Sequence, residues 1–220
     1  MFKPLFTYTD KIVASLTKIA ACREVILNSP LIPRWEVSLR KEAIIRSAHS
    51  STSIEGNNLS LEQVSALADG RKIMAKRKDR EEVLNYIDVL EKLGSFAPQG
   101  VVTEDVIKKI QFLLTKNTLE DKADCGLYRS ERNKYVVVGN RLTGEISFRP
   151  PGNEDVPRLM QDFVKWLNAD RSTALDPVVQ AGIAHYEFVR IHPFVDGNGR
   201  TGRVIGALIL RIRGFDSKQF

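Results

Sequence analysis

Twelve residues late in the sequence, His192-Pro-Phe-Val-Asp-Gly-Asn-Gly-Arg-Thr-Gly-Arg203, constrain this chain more than any other stretch, because they lead straight into the apolar series Val204-Ile-Gly-Ala-Leu-Ile-Leu210. A polar, glycine-rich loop that enters a buried helix is an anion site: the first backbone N–H groups lack intrahelical partners, and the helix dipole adds positive potential there. Phosphate is the expected guest. Gly197 and Gly199 let the backbone approach an anion and take positive φ, so that successive N–H groups form a concave nest. Asn198 offers a side-chain amide to the same oxygens. Arg200 and Arg203, three residues apart, read as two guanidinium forks on one side of the new helix, suited to a polyphosphate. Asp196 supplies the hard oxygen that Mg²⁺ prefers. His192 is the one group of the stretch that can take a proton near neutral pH. Pro193 and Phe194 read as structural.

Two familiar phosphate motifs fail on inspection. Gly197 to Gly202 spells G-x-G-x-x-G, but no clean strand precedes it over Tyr186 to Val195, and no acidic residue follows about 20 positions on, as a dinucleotide fold requires. The same loop nearly spells a P-loop, yet arginine stands for the lysine and Val204 for the magnesium-binding hydroxyl residue. An incidental surface loop would explain the glycines and leave the base, the acid and the paired arginines as coincidence.

The run from His192 to Arg203 resembles the signature of Fic-domain proteins, H-P-F-x-D-G-N-G-R-x-x-R, at every fixed position. The resemblance implies transfer of AMP from ATP to a hydroxyl of a target protein, with release of pyrophosphate. His192 would be the general base and Asp196 the Mg²⁺ ligand. Gly197, Asn198 and Gly199 would form the anion hole for the α-phosphate, and Arg200 and Arg203 would hold the β- and γ-phosphates. Farther upstream, His49-Ser-Ser-Thr-Ser-Ile-Glu-Gly-Asn-Asn58 is odd for a helix interior: consecutive hydroxyl residues, one carboxylate, then a C-cap signal at Gly56-Asn-Asn. On its own it reads as a helix ending in a turn. It also resembles the Fic inhibitory motif [S/T]-x-x-x-E-[G/N], with Ser51, Glu55 and Gly56 in the defining places, which implies that Glu55 pairs with Arg203 and keeps the γ-phosphate from its seat. A carboxylate aimed at that arginine competes with phosphate for the same donors.

The remaining chain is mostly helical in period. Ile12, Val13, Leu16, Ile19, Val25 and Ile26 give one helix, broken at Asn28-Ser-Pro30; a second begins near Pro33, with Trp35, Val37, Leu39, Ala43 and Ile44 on its apolar side. Both are expected to serve as a packing layer. Ser60 and Gln63 fit a capping box. The charge-dense run from Arg71 to Glu82 reads as a solvated face, and Val83 to Leu90 as a buried helix. Thr103-Glu-Asp, Val156-Pro and Asp176-Pro each open a helix. His185, with no other ligand near it, reads as a packed histidine. Tyr135-Val-Val-Val138 and Ile146-Ser-Phe148 are β-type, with turn residues Gly139 to Gly144 between them, so this is the one expected hairpin. In Fic proteins the comparable hairpin is a flap that aligns the target's main chain.

The expected fold class is therefore mostly α, a Fic-type helical bundle with one β-hairpin flap. Residues 1–99 would form an N-terminal helical region carrying the inhibitory motif, and 100–220 the Fic core. A hydrophobic share of 43% suffices for a full core. The charge of +6 favours anionic ligands, but the positives are scattered, so nucleic acid is not an expected partner. Two cysteines fit a reducing cytoplasm, and no membrane association is read from the apolar runs. The expected partner is a protein bearing an acceptor Ser, Thr or Tyr hydroxyl; a homodimer is left open. The alternative reading is a non-catalytic nucleotide-sensing regulator acting through protein or DNA, or a hydrolase that removes AMP at the same site.

Overall fold

The computed structural model describes residues 2–30, 33–133, 136–139 and 146–215. Nine α-helices carry the described chain: α1 (Asp10–Asn28), α2 (Pro33–Ile54), α3 (Leu61–Ala68), α4 (Arg77–Glu91), α5 (Glu104–Thr115), α6 (Val156–Leu167), α7 (Asp170–Thr173), α8 (Pro177–Ile191) and α9 (Asn198–Leu210). Two short strands, β1 (Val138–Gly139) and β2 (Ile146–Phe148), pair antiparallel between α5 and α6. This is the expected mostly helical architecture with one hairpin. Tyr135 and the turn over 140–145 lie outside the described residues, as do 216–220.

Local chemistry sets most of the boundaries. Thr103 caps α5 through its hydroxyl, Ser60 and Gln63 form a reciprocal capping box at α3, and Asp176 caps α8 ahead of Pro177. The second helix continues through the hydroxyl-rich run to Ile54. There Gly56, at φ +92°, closes it: the Gly56 and Asn57 N–H groups return to Ser53 and Thr52 carbonyls in a Schellman turn.

Helix α9 is the axis of the bundle. It packs along α8 and also touches α5 and α2, while α4 sits between α2 and α5. Its buried Val204, Ile205, Leu208 and Ile209 meet a core that includes Val83, Ile107, Ile110, Leu114, Phe163, Phe188 and Phe194. Phe163 stacks toward Trp166 and tilts against Phe188, which in turn meets Phe194 of the signature loop. Aromatic packing thus continues from α6 to beneath the loop.

The expectation of an N-terminal packing layer holds only in part. Ile45 and Ala48 of α2 are buried, but α1 buries nothing, and Val25, Trp35, Val37 and Leu39 are exposed. The pattern of apolar residues sets an amphipathic face; it does not supply the surface to cover it. Phe163→Ala, at a fully buried site, is expected to cost about 3–5 kcal/mol of stability. Val25→Ala should cost no more than about 0.5 kcal/mol. Urea denaturation of both variants checks the contrast.

Candidate active site

The turn between α8 and α9 is built on two left-handed residues. His192 ends α8 at φ +51° and Gly197 precedes α9 at φ +78°. Glycine takes that region freely; a side chain at Gly197 would also meet the Thr115 methyl at 2.7 Å. Gln111, fully buried on α5, donates to the Asp196 carbonyl and accepts from the Gly126 N–H, and so braces the loop from below.

His192 is oriented by its own helix. Its Nδ1 lies 3.2 Å from the Val189 carbonyl, which can only accept, so Nδ1 carries the proton and Nε2 is left as the acceptor. Burial holds its pKa below the usual histidine value; the Val189 bond opposes that, the Arg129 cation reinforces it, and the Glu55 and Asp196 carboxylates oppose it. The net effect is a neutral imidazole ready to take a proton.

The N-terminus of α9 has no side-chain cap. Asn198 does not reach outward, because its amide closes back on the Phe194 N–H (3.0 Å) and carbonyl (2.8 Å). One of its two amide N–H groups is thus spent inside the loop, where the sequence suggests a donor to the anion. Against this N-terminus lies Glu55: a Cβ built on Gly199 would stand 2.2 Å from Glu55 Oε1. The cradle already faces a carboxylate.

The two arginines diverge. Arg203 donates from Nη2 to Glu55 Oε1 at 2.7 Å and to the Ser51 carbonyl at 2.9 Å, and from Nε to Ser51 Oγ at 2.6 Å. Ser51, Glu55 and Arg203 therefore meet, and Gly56 supplies the turn that delivers Glu55. Arg200, by contrast, is 1% exposed and lies 3.3 Å from both Glu82 Oε1 and Asp196 Oδ1. In this conformation the forks do not share one open side. Helix α4 lines one arginine and α2 the other.

Residues of α4 were not legible as site residues. Glu82, read as part of a solvated run, is buried beside Arg200, and Asn57 donates to its other carboxylate oxygen and to the Asp79 carbonyl. One turn on, the buried Tyr86 hydroxyl reaches Ser51 and Arg203; burial pushes its pKa up, so the phenol stays neutral there. The only signal available was spacing: Glu82 and Tyr86 lie four apart, as partners on one helix face would. His185 packs over Gly202.

Asp196 accepts from the Gly197 N–H and from Arg200, both on Oδ1; among the described residues no hydrogen bond falls on Oδ2. No cluster of three or more His, Cys, Asp or Glu forms among the described residues. A single free carboxylate oxygen suits Mg²⁺, which keeps waters and takes substrate phosphates rather than an all-protein cage.

The helical bundle thus sets a neutral imidazole at the end of one helix and an uncapped N-terminus at the start of the next. Residues 101–210 match the model of the Fic/DOC family, and the chain belongs to that family. It is 33% identical over 185 residues to the protein named protein adenylyltransferase Fic of Drosophila melanogaster, covering 80% of this chain and 34% of that one. The chain thus spans about a third of the length of the curated relatives it matches. A Fic family protein from Desulfovibrio desulfuricans superposes with a TM-score of 0.77 at 33% identity, covering 96% of this chain and 60% of that one. Fic-1 from C. elegans gives 0.73 at 27% identity over 94% and 60%.

Breaking a buried ion pair from one side leaves the other charge short of a partner. Glu82→Leu, which leaves Arg200 only Asp196 as an ion partner and removes an acceptor from Asn57, is expected to lower stability by about 1–3 kcal/mol, to be read by chemical denaturation.

Proposed function

We propose that this chain is a protein adenylyltransferase restrained by its own Glu55. One observation supports the reading: the Glu55 carboxylate, held by Arg203, lies against Gly199 at the uncapped N-terminus of α9, and the neutral, Nε2-accepting His192 ends the helix before it. The Drosophila relative's name, protein adenylyltransferase Fic, supports the same reaction class.

ATP would lay its phosphates along the Gly197–Gly199 backbone. The acceptor hydroxyl of a Ser, Thr or Tyr on the target gives its proton to His192 Nε2 while its oxygen attacks the α-phosphorus. The P–O bond to pyrophosphate breaks, and the leaving group carries the electron pair. Cradle N–H groups aimed at the developing charge need no reorganisation in the transition state. Asp196 Oδ2 would hold Mg²⁺, which supplies charge neutralisation for the phosphates when bound. Arg203 would grip the terminal phosphate once Glu55 withdraws, whereas Arg200 keeps Asp196 in place. The free thiols, Cys22 and Cys125, suit the cytoplasm as the compartment.

Glu55 competes because a carboxylate and a phosphate oxygen need the same donors. Intact-mass measurement after incubation with ATP and Mg²⁺ tests the proposal. Glu55→Gly should accumulate AMP adducts on itself or an added target, and Glu55→Gly/His192→Ala should not. An adduct that persists without His192, or its absence from the single variant with target present, would refute the reading.

The pH dependence follows from the lowered pKa of His192. The neutral form is the base, so protonation removes activity. Transfer by Glu55→Gly should stay level across neutral pH and fall only below the usual histidine range; a midpoint above it would contradict the burial of His192. Initial rates in overlapping buffers provide the measurement.

A further inference from the structure

Arg129 belongs to no motif, yet it is 3% exposed and spends its donors on the backbone of the signature turn. Nε donates to the His192 carbonyl at 2.8 Å, and Nη2 donates to the Ile191 carbonyl at 3.3 Å and to the Pro151 carbonyl. Its own backbone N–H donates to the Pro193 carbonyl at 2.9 Å. Ile191, His192 and Pro193 are the end of α8, the base itself and the first residue of the loop. Pro151 lies three residues beyond β2 of the hairpin.

A left-handed backbone is strained at a residue with a Cβ, and histidine holds it only where the surroundings over-determine it. At His192 they do. The α8 cap bond fixes its N–H on the Phe188 carbonyl, and Arg129 fixes its carbonyl. A guanidinium can span three carbonyls because its donors are splayed in one rigid plane; an ammonium offers a point charge on a flexible stem. Tyr128, the preceding residue, packs on Phe194 at 5.3 Å and seats the arginine.

We infer that Arg129 is the positioning residue of the general base, locking the left-handed turn at His192 to the chain leaving the hairpin so that base and flap keep one geometry. The charged groups that act on His192 are Arg129, Glu55 and Asp196. Only Arg129 also grips its backbone. The inference rests on the adenylyltransferase reading for its kinetic consequence and on geometry alone for its structural one.

Two measurements on Arg129→Lys separate these. In the Glu55→Gly background the turnover of AMP transfer should fall about 10- to 100-fold, as for a misplaced catalytic group, while KM for ATP changes less than about twofold, because Arg129 touches no part of the cradle. The second measurement needs no turnover. Glycine takes the left-handed region without steric cost, so a turn carrying His192→Gly depends less on being held. The drop in urea midpoint caused by Arg129→Lys should be smaller in the His192→Gly background than in the parent. Equal losses in both backgrounds overturn the inference, as does an unchanged turnover number. If Arg129→Lys does not fold in the parent, recovery of folding by His192→Gly supports the inference and its failure overturns it. Absence of transfer in Glu55→Gly with Arg129 intact refutes the adenylyltransferase reading alone, and the denaturation cycle still decides the role of Arg129.

Discussion

A helix that begins inside a protein must satisfy its first N–H groups without closing them to a ligand, and that constraint organises this molecule. Helix α9 solves it with an N-terminus that no side chain caps, reached through two left-handed residues, His192 and Gly197. Three side chains brace the turn at points other than the first N–H groups of α9. Gln111 takes the Asp196 carbonyl, Asn198 closes on Phe194, and Arg129 takes the carbonyls around His192. The N–H groups at the start of α9 are what this bracing leaves for an anion.

The same economy explains the polar seam between α2, α4 and α9. Arg203 is half-buried and would be costly without acceptors; Ser51, Glu55 and Tyr86 provide them. Arg200 is deeper; it donates to Asp196 and meets Glu82 as an ion pair at 3.3 Å without a hydrogen bond. The seam is therefore two layers with different fates. The Arg200 layer is internal and reaches the carboxylate of Asp196, whereas the Arg203 layer is part-exposed and, in the function proposed above, gives up its acceptor to phosphate. A carboxylate at the C-terminal end of α2 opposes that helix's dipole, so Glu55 owes its place to Arg203 rather than to α2.

Family membership and geometry speak to different questions. Similarity over residues 101–210 assigns the chain to the Fic/DOC family, and it leaves the 1–99 region to be understood from contacts. There the decisive observation is that α2, outside the matched segment, delivers Glu55 to the α9 N-terminus through the Schellman turn at Gly56. That contact joins the N-terminal part to the signature.

The meeting of Glu55 with Arg203 was implied by resemblance to the family's inhibitory motif, whereas the sequence by itself determined the helices, most of their caps, the hairpin and the signature turn. Those features depend on short-range rules: period, capping side chains, positive-φ glycines, and a motif whose residues are contiguous. Tertiary structure decided what lies opposite each of them. Whether the charged run ending at Glu82 faced water or Arg200, whether Asn198 pointed at an anion or at Phe194, and whether α1 was covered all depend on residues distant in the chain. Arg129 was invisible for the same reason: an arginine that bonds only backbone carbonyls leaves no partner side chain to mark it, and those carbonyls converge only once α8 and the hairpin exit are packed together.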